Sequence, residues 1–334
     1  MFKFIFEPLC EAEMEVRMRD VIIVGSGSSK EFLGVGVNYK NAKVKYQPSH
    51  AWKSNEIKFL RKAKKAWFRF GLPYEQIWYN KKLNGFKTYI VICTTSINKG
   101  FFIWLRQNNP ECRIICYFTD VIKKGDFREA LLDVLVSNNC EIWSYYQEEA
   151  LKYTQYNMRY NPTCYAESNF EAALKERKEP EYDIFFIGTD KGRLDTILRL
   201  QKETENQNLS WLLYVTPTHG SDTSKWKEYK KNHICYKDAM KLQIKAKAVL
   251  EIIPEGPKAY TLRVWESLYL DQKLITNNTA VKELDFYDSN NIYVLGGGGG
   301  MSIKEFLDLP YNPVPEEIKK KYSFEAWLNR FFEQ

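Results

Sequence analysis

The chain has 334 residues, and its composition excludes several classes of protein. With 44% hydrophobic and 15% aromatic residues it is neither disordered nor fibrous, and its length suits two domains. The net charge of +7 fits an anionic partner without indicating nucleic acid. Seven scattered cysteines indicate reduced thiols rather than disulfides or a zinc site. No apolar run approaches the roughly 18–20 residues of a membrane-spanning helix. The acidic first segment does not fit a secretory signal, so we expect a cytoplasmic protein.

The first half of the chain alternates short apolar runs with helical patterns. We predict strands at Asp20–Gly25, Lys43–Tyr46, Thr88–Cys93, Arg113–Phe118 and Glu141–Ser144, with helices centred on 54–70 and at 98–107, 127–136 and 148–156. Strands separated by helices indicate a parallel sheet wound on both faces. The Gly/Ser loop after the first strand lacks the third glycine and the later acidic residue of a dinucleotide fingerprint. We therefore expect no NAD site there.

The same alternation restarts in the second half. Strands are predicted at Tyr182–Gly188, Trp211–Thr216, Ala248–Ile253 and Lys273–Thr276, and a helix at Leu194–Thr204. Another helix begins near Tyr260 and Thr261, since Thr is a good N-cap and apolar residues follow at helical spacing. The sequence thus predicts an α/β fold with two Rossmann-like domains, at 1–170 and 182–312, and a closing helical segment at 313–334.

Arg263 and Glu266 lie three residues apart near the start of this helix, so they share one helix face. A helix N-terminus attracts anions, and an Arg one turn in adds bidentate phosphate recognition. A Glu one turn further can accept the two hydroxyls of a ribose. These residues indicate a nucleoside diphosphate ligand, while a surface Arg–Glu pair on an ordinary helix is the alternative reading.

The segment TLRVWESLYLDQKLITNN, followed by VKELDFYDSNNIYVL, resembles the donor-binding region of small bacterial glycosyltransferases with the GT-B fold. It is similar in particular to those of capsule, exopolysaccharide and lipopolysaccharide synthesis. The resemblance is specific over about Tyr182–Leu295. It implies two Rossmann-like domains that face a ligand cleft, with the closing segment crossing back to the N-terminal domain. It also implies a nucleotide sugar as donor substrate, most simply a UDP-hexose, and no further cofactor.

The resemblance extends the set of candidate donor-site residues. Basic residues after the first strand of the second domain would face the donor diphosphate, and the Gly/Ser loop of the first domain would face the acceptor. The donor-site candidates are Gly188, Lys191, Arg193, Glu255, Tyr260, Thr261, Arg263 and Glu266, and the acceptor-loop candidates are Gly25, Ser26 and Gly27. Retaining members carry two glutamates eight residues apart. Here Lys258 stands eight before Glu266, which leaves retention unsupported.

Catalysis needs a group that stabilises the departing diphosphate. No D-x-D triplet occurs in the chain, so we expect fixed positive charge, rather than a metal, in this role. An inverting enzyme also needs a general base in the first domain. Asp120, after the predicted strand RIICYF, and His50 are the candidates, although a structural role for each is an open alternative.

A basic and aromatic stretch, Ser54–Phe70, lies in the part of the chain with the largest charge excess. Residues 51–90 carry ten Lys or Arg against two acids. Such a helix suits an anionic membrane surface, and a packed helix with a solvated face is the alternative. We therefore expect a metal-independent hexosyltransferase that acts on a lipid-linked or growing surface glycan and contacts the inner leaflet of the membrane peripherally. A non-catalytic nucleotide-sugar or glycan-binding protein is the main rival, and a nucleotide-sugar epimerase is a weaker one.

Overall fold

The computed structural model describes residues 21–25, 33, 44–49, 79–93, 97–218, 234–253, 259–297 and 300–333. These residues form two compact units. Unit 1 contains the described residues up to Pro162, apart from Leu33, together with residues 329–333. Unit 2 contains Leu33 and the described residues of Thr163–Leu328. Within the described residues, no helix has both the length and the apolar character needed to cross a bilayer.

Unit 1 is built on one parallel sheet of six strands. The strands are β1 (Val21–Gly25), β2 (Lys45–Pro48), β3 (Thr88–Cys93), β4 (Arg113–Phe118), β5 (Cys140–Ser144) and β6 (Arg159–Tyr160), in the order β2-β1-β3-β4-β5-β6. Its helices are α1 (Lys99–Asn108), α2 (Glu129–Ser137) and α3 (Gln147–Lys152). Every residue of β1 and β3 is buried, which is typical of strands covered on both faces.

The two faces of the unit 1 sheet have different partners. Helices α1 and α2 cover one face with residues such as Phe101, Leu105 and Leu132. On β4 and β5, Tyr117 and Trp143 contact Phe331 instead, with ring centroids 5.9 and 4.9 Å apart respectively. Residues near the end of the sequence therefore complete the core of the first unit.

Unit 2 repeats this architecture with five parallel strands. These are β7 (Tyr182–Thr189), β8 (Trp211–Thr216), β9 (Ala246–Glu251), β10 (Lys273–Thr276) and β11 (Ile292–Val294), in the order β11-β10-β9-β7-β8. The helices are α4 (Glu171–Lys175), α5 (Leu194–Glu203), α6 (Tyr236–Gln243), α7 (Leu262–Tyr269), α8 (Ile303–Asp308), α9 (Glu316–Lys320) and α10 (Phe324–Asn329), whose last residue falls in unit 1.

Helices cover both faces of the unit 2 sheet. Successive residues of a strand point to opposite faces. Phe185 accordingly belongs to the core formed with α6 and α7, and Phe186 to the core formed with α5 and α8. The chain leaves β7 toward β8 and returns to β9 on the other side of β7, which makes β7 and β9 the topological switch point. The predicted α/β fold with two Rossmann-like domains is confirmed.

Candidate functional site

The candidate site lies at the carboxyl ends of β7 and β9 in unit 2. In open parallel sheets a crevice forms where crossovers leave neighbouring strands toward opposite faces, and ligands bind there. The β7 strand ends in Gly188 and Thr189, and β9 ends in Glu251. The segment that follows β9 leads to α7, the helix that carries Arg263 and Glu266.

A tight turn follows β7. The N–H of Arg193 donates to the carbonyl of Asp190 at 3.0 Å, and the two central residues, Lys191 and Gly192, have φ of 49° and 80°. Such left-handed values at both positions define a type I′ turn. The Asp190 carboxylate accepts from the N–H of Leu194, the first residue of α5, at 2.7 Å. An acidic side chain therefore already occupies this helix start, and the predicted phosphate-binding side chain of Lys191 is exposed beside it.

Arg193 is only 9% exposed and braces the edge of the sheet. Its Nε donates to the carbonyl of Asp190 at 3.0 Å, its Nη1 to Ile252 at 2.7 Å and its Nη2 to Thr189 at 2.5 Å. The loops after β7 and β9 are thereby joined. A guanidinium has five N–H groups, so these bonds leave two for a ligand. Arg193 therefore stabilises the two loops through its hydrogen bonds and keeps two N–H groups that could bind an anion.

Arg263 extends from the first turn of α7, where the hydroxyl of Thr261 accepts its backbone N–H at 3.3 Å. Its Nη2 donates to the carbonyl of Ile187 on β7. Its Nε is buried and has no hydrogen-bond partner among the described residues. A buried donor without a partner is uncommon in proteins, so this N–H can take an acceptor that the described residues do not supply.

The two guanidinium groups converge on the same small space. Arg193 and Arg263 lie over the ring of Phe186, with their Cζ atoms 5.4 and 5.1 Å from its centroid. A Cβ at Gly188 would lie 2.9 Å from Nη2 of Arg263 and 3.3 Å from Nη2 of Arg193. Burial, and then the charge of Arg263, lowers the pKa of Arg193 to about 10. Two cations held this close form a site that favours an anion.

Two buried carboxylates lie near the arginines. Glu251 is fully buried and accepts from the hydroxyls of Thr261 and Thr276 at 2.5 and 2.6 Å. Glu266 is 4% exposed and accepts from the hydroxyl of Tyr236 at 2.6 Å. Burial raises the pKa of both carboxyls, while their hydrogen bonds and the charge of Arg263 oppose this rise. Glu266 is therefore an internal residue of α7 and not half of a surface pair with Arg263.

Tyr260, which lies just before α7, makes contacts that position the start of this helix. Its hydroxyl donates to the carbonyl of Ala280 at 3.2 Å, and its ring packs edge-on against Trp265 with centroids 5.7 Å apart. Asn278, which is fully buried, donates to the carbonyl of Ala259 at 3.1 Å. These contacts tie the loop before α7 to the loop after β10, and they set the position from which Arg263 extends.

The described candidates of unit 1 lie at the corresponding edge of its own sheet. Gly25 is the buried last residue of β1. Asp120 follows β4 with a side chain 58% exposed, and it forms an ion pair with Arg128 at 3.0 Å. Its role as a base stays a prediction. Glu149 was not predicted. It is 3% exposed and accepts from the hydroxyl of Ser144 at 2.7 Å and from the N–H of Ile122, and burial raises its pKa.

Four predicted site residues fall outside the described part of the chain, namely Ser26, Gly27, His50 and Glu255. The basic stretch Ser54–Phe70 also lies outside it. Among the residues that the structure does describe, no group of three or more His, Cys, Asp or Glu side chains could hold a metal ion.

Neither a protein-family model nor a curated protein sequence matches the chain. Its structure is similar to that of "Sucrose-phosphate synthase (tll1590) from Thermosynechococcus elongatus" at a TM-score of 0.45. The two sequences are 11% identical, and the match covers 94% of this chain and 98% of the synthase chain.

Proposed function

We propose that the protein is a glycosyltransferase that moves a hexose from a nucleotide sugar to a glycan acceptor. The observation that carries the proposal is the convergence of Arg193 and Arg263 at the switch point of unit 2. There a buried N–H of Arg263 has no described partner. A diphosphate supplies the negative charge and the acceptor oxygens that this arrangement requires. Many ligands carry a diphosphate. The surrounding sequence resembles the donor-binding regions of GT-B enzymes, which favours a nucleotide sugar.

Five of the donor-site candidates have a direct role in this proposal. Arg263 binds the diphosphate, Arg193 adds its two remaining N–H groups, and the exposed Lys191 approaches from the turn. Gly188 leaves the space that the two guanidinium groups occupy. Glu266 binds the ribose hydroxyls, which would share its carboxylate with the hydroxyl of Tyr236.

The reaction is a displacement at the anomeric carbon of the donor sugar. An acceptor hydroxyl forms a bond to this carbon, and the bond from the carbon to the diphosphate oxygen breaks. The nucleoside diphosphate leaves with the electron pair, and Arg263 and Arg193 stabilise its developing charge without a metal ion. The attacking hydroxyl loses its proton to a general base, for which Asp120 and His50 are the candidates.

Calorimetric titration with UDP tests the donor site. Arg263→Ala should weaken UDP binding by roughly 1.5–3 kcal/mol, because a charge-assisted hydrogen bond is lost. Glu266→Ala should also weaken it. The matched control is Arg199→Ala, since Arg199 is an exposed arginine on α5, and it should bind UDP as the wild type does. Equal UDP affinity in Arg263→Ala, Glu266→Ala and the wild type would refute the assignment.

Turnover separates a transferase from the rival non-catalytic binding protein. With a UDP-sugar present, a transferase releases UDP faster when an acceptor glycan is added, whereas a binding protein does not. A nucleotide-sugar epimerase would convert the sugar without releasing UDP. Measurement of UDP release over a panel of UDP-hexoses and glycans therefore decides between the three.

The acceptor is proposed to be a lipid-linked or growing surface polysaccharide at the membrane. The support is the basic and aromatic composition of Ser54–Phe70. Each Lys or Arg near an anionic bilayer contributes about 1 kcal/mol, so six of them could hold the protein there reversibly. Vesicle sedimentation should show binding that requires phosphatidylglycerol, weakens with salt and is reduced by combined replacement of Lys58, Lys62 and Lys65 with Gln. Equal binding by that triple variant would exclude this role.

A further inference from the structure

A cavity of about 320 Å³ lies within unit 2, away from the candidate site at the switch point. Ala246, the first residue of β9, and Lys273, the first residue of β10, both line it, so the cavity lies at the amino ends of these parallel strands. The switch point lies at their carboxyl ends, and the length of β9 separates the two ends by about 17 Å. A small ligand in the cavity would therefore not contact Arg193 or Arg263.

The lining of the cavity combines apolar and basic residues. Three apolar lining residues are buried, namely Ile244, Ala246 and Leu307. The exposed charged lining residues are three cations and one anion, namely Arg177, Lys178, Lys247 and Glu179. Small-molecule sites are typically concave and largely apolar, hold a few polar groups and have volumes of about 300–1,000 Å³. The cavity therefore has the size and the lining of a site for a small ligand.

Lys273 and Arg177 bring positive charge to the cavity together with unused donors. Lys273 is 6% exposed, and its Nζ donates to the carbonyls of Asn290 and Phe306 at 2.6 and 2.8 Å. An ammonium has three N–H groups, so these bonds leave one. Arg177 donates from Nη1 to the carbonyl of Leu270 at 2.7 Å, which leaves four of its five N–H groups without a partner among the described residues. Two such cations favour an anionic ligand.

Asp271 and Tyr311 add groups that suit a ligand with hydroxyls. Oδ2 of Asp271 accepts from Nζ of Lys319 at 2.9 Å, whereas Oδ1 is buried and has no hydrogen-bond partner in the described part of the chain. Oδ1 can therefore accept from a hydroxyl of a ligand. Tyr311 is half-buried and supplies an aromatic surface to the same cavity.

We propose that this cavity is a second ligand site, which binds a small anion that carries hydroxyl groups, either a sugar phosphate or a sugar acid. Lys273 and Arg177 bind the phosphate or carboxylate through charge-assisted hydrogen bonds. Asp271 accepts from a sugar hydroxyl, and Tyr311 packs against the sugar ring. The ion pair with Lys319 offsets the charge of Asp271, so the cavity keeps its preference for an anion. No residue of the proposed donor site takes part, and the inference does not depend on the proposed function.

Calorimetric titration of the full chain at neutral pH tests this site with glucose 6-phosphate, glucuronate, glucose and inorganic phosphate. At least one of the two sugar anions should bind, and the tighter of them identifies the anionic group. Glucose and inorganic phosphate should bind at least about tenfold more weakly, because each lacks one of the groups that the cavity recognises. Lys273→Met and Arg177→Ala should each weaken binding of the sugar anion about tenfold or more. The matched controls Lys202→Met and Arg199→Ala change exposed residues of α5 and should bind as the wild type does.

Arg263→Ala separates this site from the proposed donor site, since it should lower the affinity for UDP and leave that for the sugar anion unchanged. Arg177 is exposed, so Arg177→Ala keeps the test decisive if Lys273→Met does not fold. A sugar anion that loses affinity in Arg263→Ala and keeps it in Arg177→Ala and Lys273→Met would overturn the second site. Binding of glucose or inorganic phosphate as tightly as the sugar anions, or no binding of any probe, would also overturn it. If the sugar anion binds as expected and UDP does not bind, the donor site fails and the second site stands.

Discussion

Gly188 lies against the guanidinium of Arg263. A Cβ at position 188 would lie only 2.9 Å from Nη2 of Arg263 and would collide with it. The glycine also has a φ of 157°, which L side chains rarely adopt. The end of β7 is therefore shaped around an arginine that comes from another element of the same unit. A side chain at position 188 would therefore have to displace the end of the Arg263 side chain.

Gly188→Ala is expected to displace Arg263, and with it Arg193, from the ring of Phe186. UDP affinity should fall at least about tenfold, which corresponds to about 1.4 kcal/mol. Calorimetric titration with UDP measures it. Gly296→Ala is the control, because Gly296 also has a positive φ, 74°, with no atom within 4 Å of the added Cβ. Both variants should lose some stability, and only Gly188→Ala should lose affinity. An unchanged UDP affinity in Gly188→Ala would contradict the site.

Arg193→Lys is expected to destabilise unit 2. A lysine has three donors on one atom and cannot reach the carbonyls of Asp190, Thr189 and Ile252 together. Loss of two such bonds at a buried position should lower the free energy of unfolding by about 2–4 kcal/mol. Urea denaturation followed by fluorescence measures the change. The exposed Arg199→Lys should differ from the wild type by less than about 0.5 kcal/mol. An equally small effect of Arg193→Lys would show that the side-chain hydrogen bonds of Arg193 contribute little to the free energy of unfolding.

UDP release from the sugar donor should not depend on a divalent metal. Positive charge from Arg193 and Arg263 is expected to stabilise the leaving diphosphate in its place. Turnover in excess EDTA should equal turnover without it. A loss of activity that Mn²⁺ or Mg²⁺ restores would overturn the metal-independent mechanism.

Lys273 should make stability depend on pH in the alkaline range. It is 6% exposed, and its Nζ donates to the carbonyls of Asn290 and Phe306 at 2.6 and 2.8 Å. Burial lowers its pKa from 10.5 to about 8. Between these values the unfolded chain holds a proton that the folded chain lacks, so the free energy of unfolding rises with pH there.

The measurement is chemical denaturation of the wild type and Lys273→Met at several pH values from about 7 to 10. Other lysines and tyrosines titrate in both proteins and cancel in the difference. The stability of the wild type relative to Lys273→Met should therefore increase as the pH rises above about 8. A difference that stays constant over this range would show that Lys273 keeps an ordinary pKa when folded.

Much of the fold follows from local sequence patterns, because fully buried parallel strands are continuous apolar runs. The bounds of Trp211–Thr216 and Lys273–Thr276, and the cap at Thr261, were predicted as the structure has them. Helix α6 was missed, since its buried residues include only two apolar ones, Ala239 and Met240, within a charged segment.

The site was predictable only in part. The pattern around Arg263 indicated a phosphate-binding residue, and the structure places Arg193 beside it. No local pattern indicates that Arg193 donates three side-chain hydrogen bonds to backbone carbonyls, because those carbonyls follow two different strands. Glu251 could have been noticed as an acidic residue that ends an apolar strand. Its hydrogen bonds with Thr261 and Thr276 could not have been predicted, because only the fold brings these residues to it.

The packing of Phe331 on Trp143 has a consequence for how the protein is made. Unit 1 is discontinuous in sequence, since residues 329–333 join it after the whole of unit 2 has been synthesised. Domains usually begin to fold in the order in which they leave the ribosome. Trp143 therefore lacks its contact with Phe331 until residues 329–333 have been synthesised. This aromatic contact of unit 1 therefore forms late in translation.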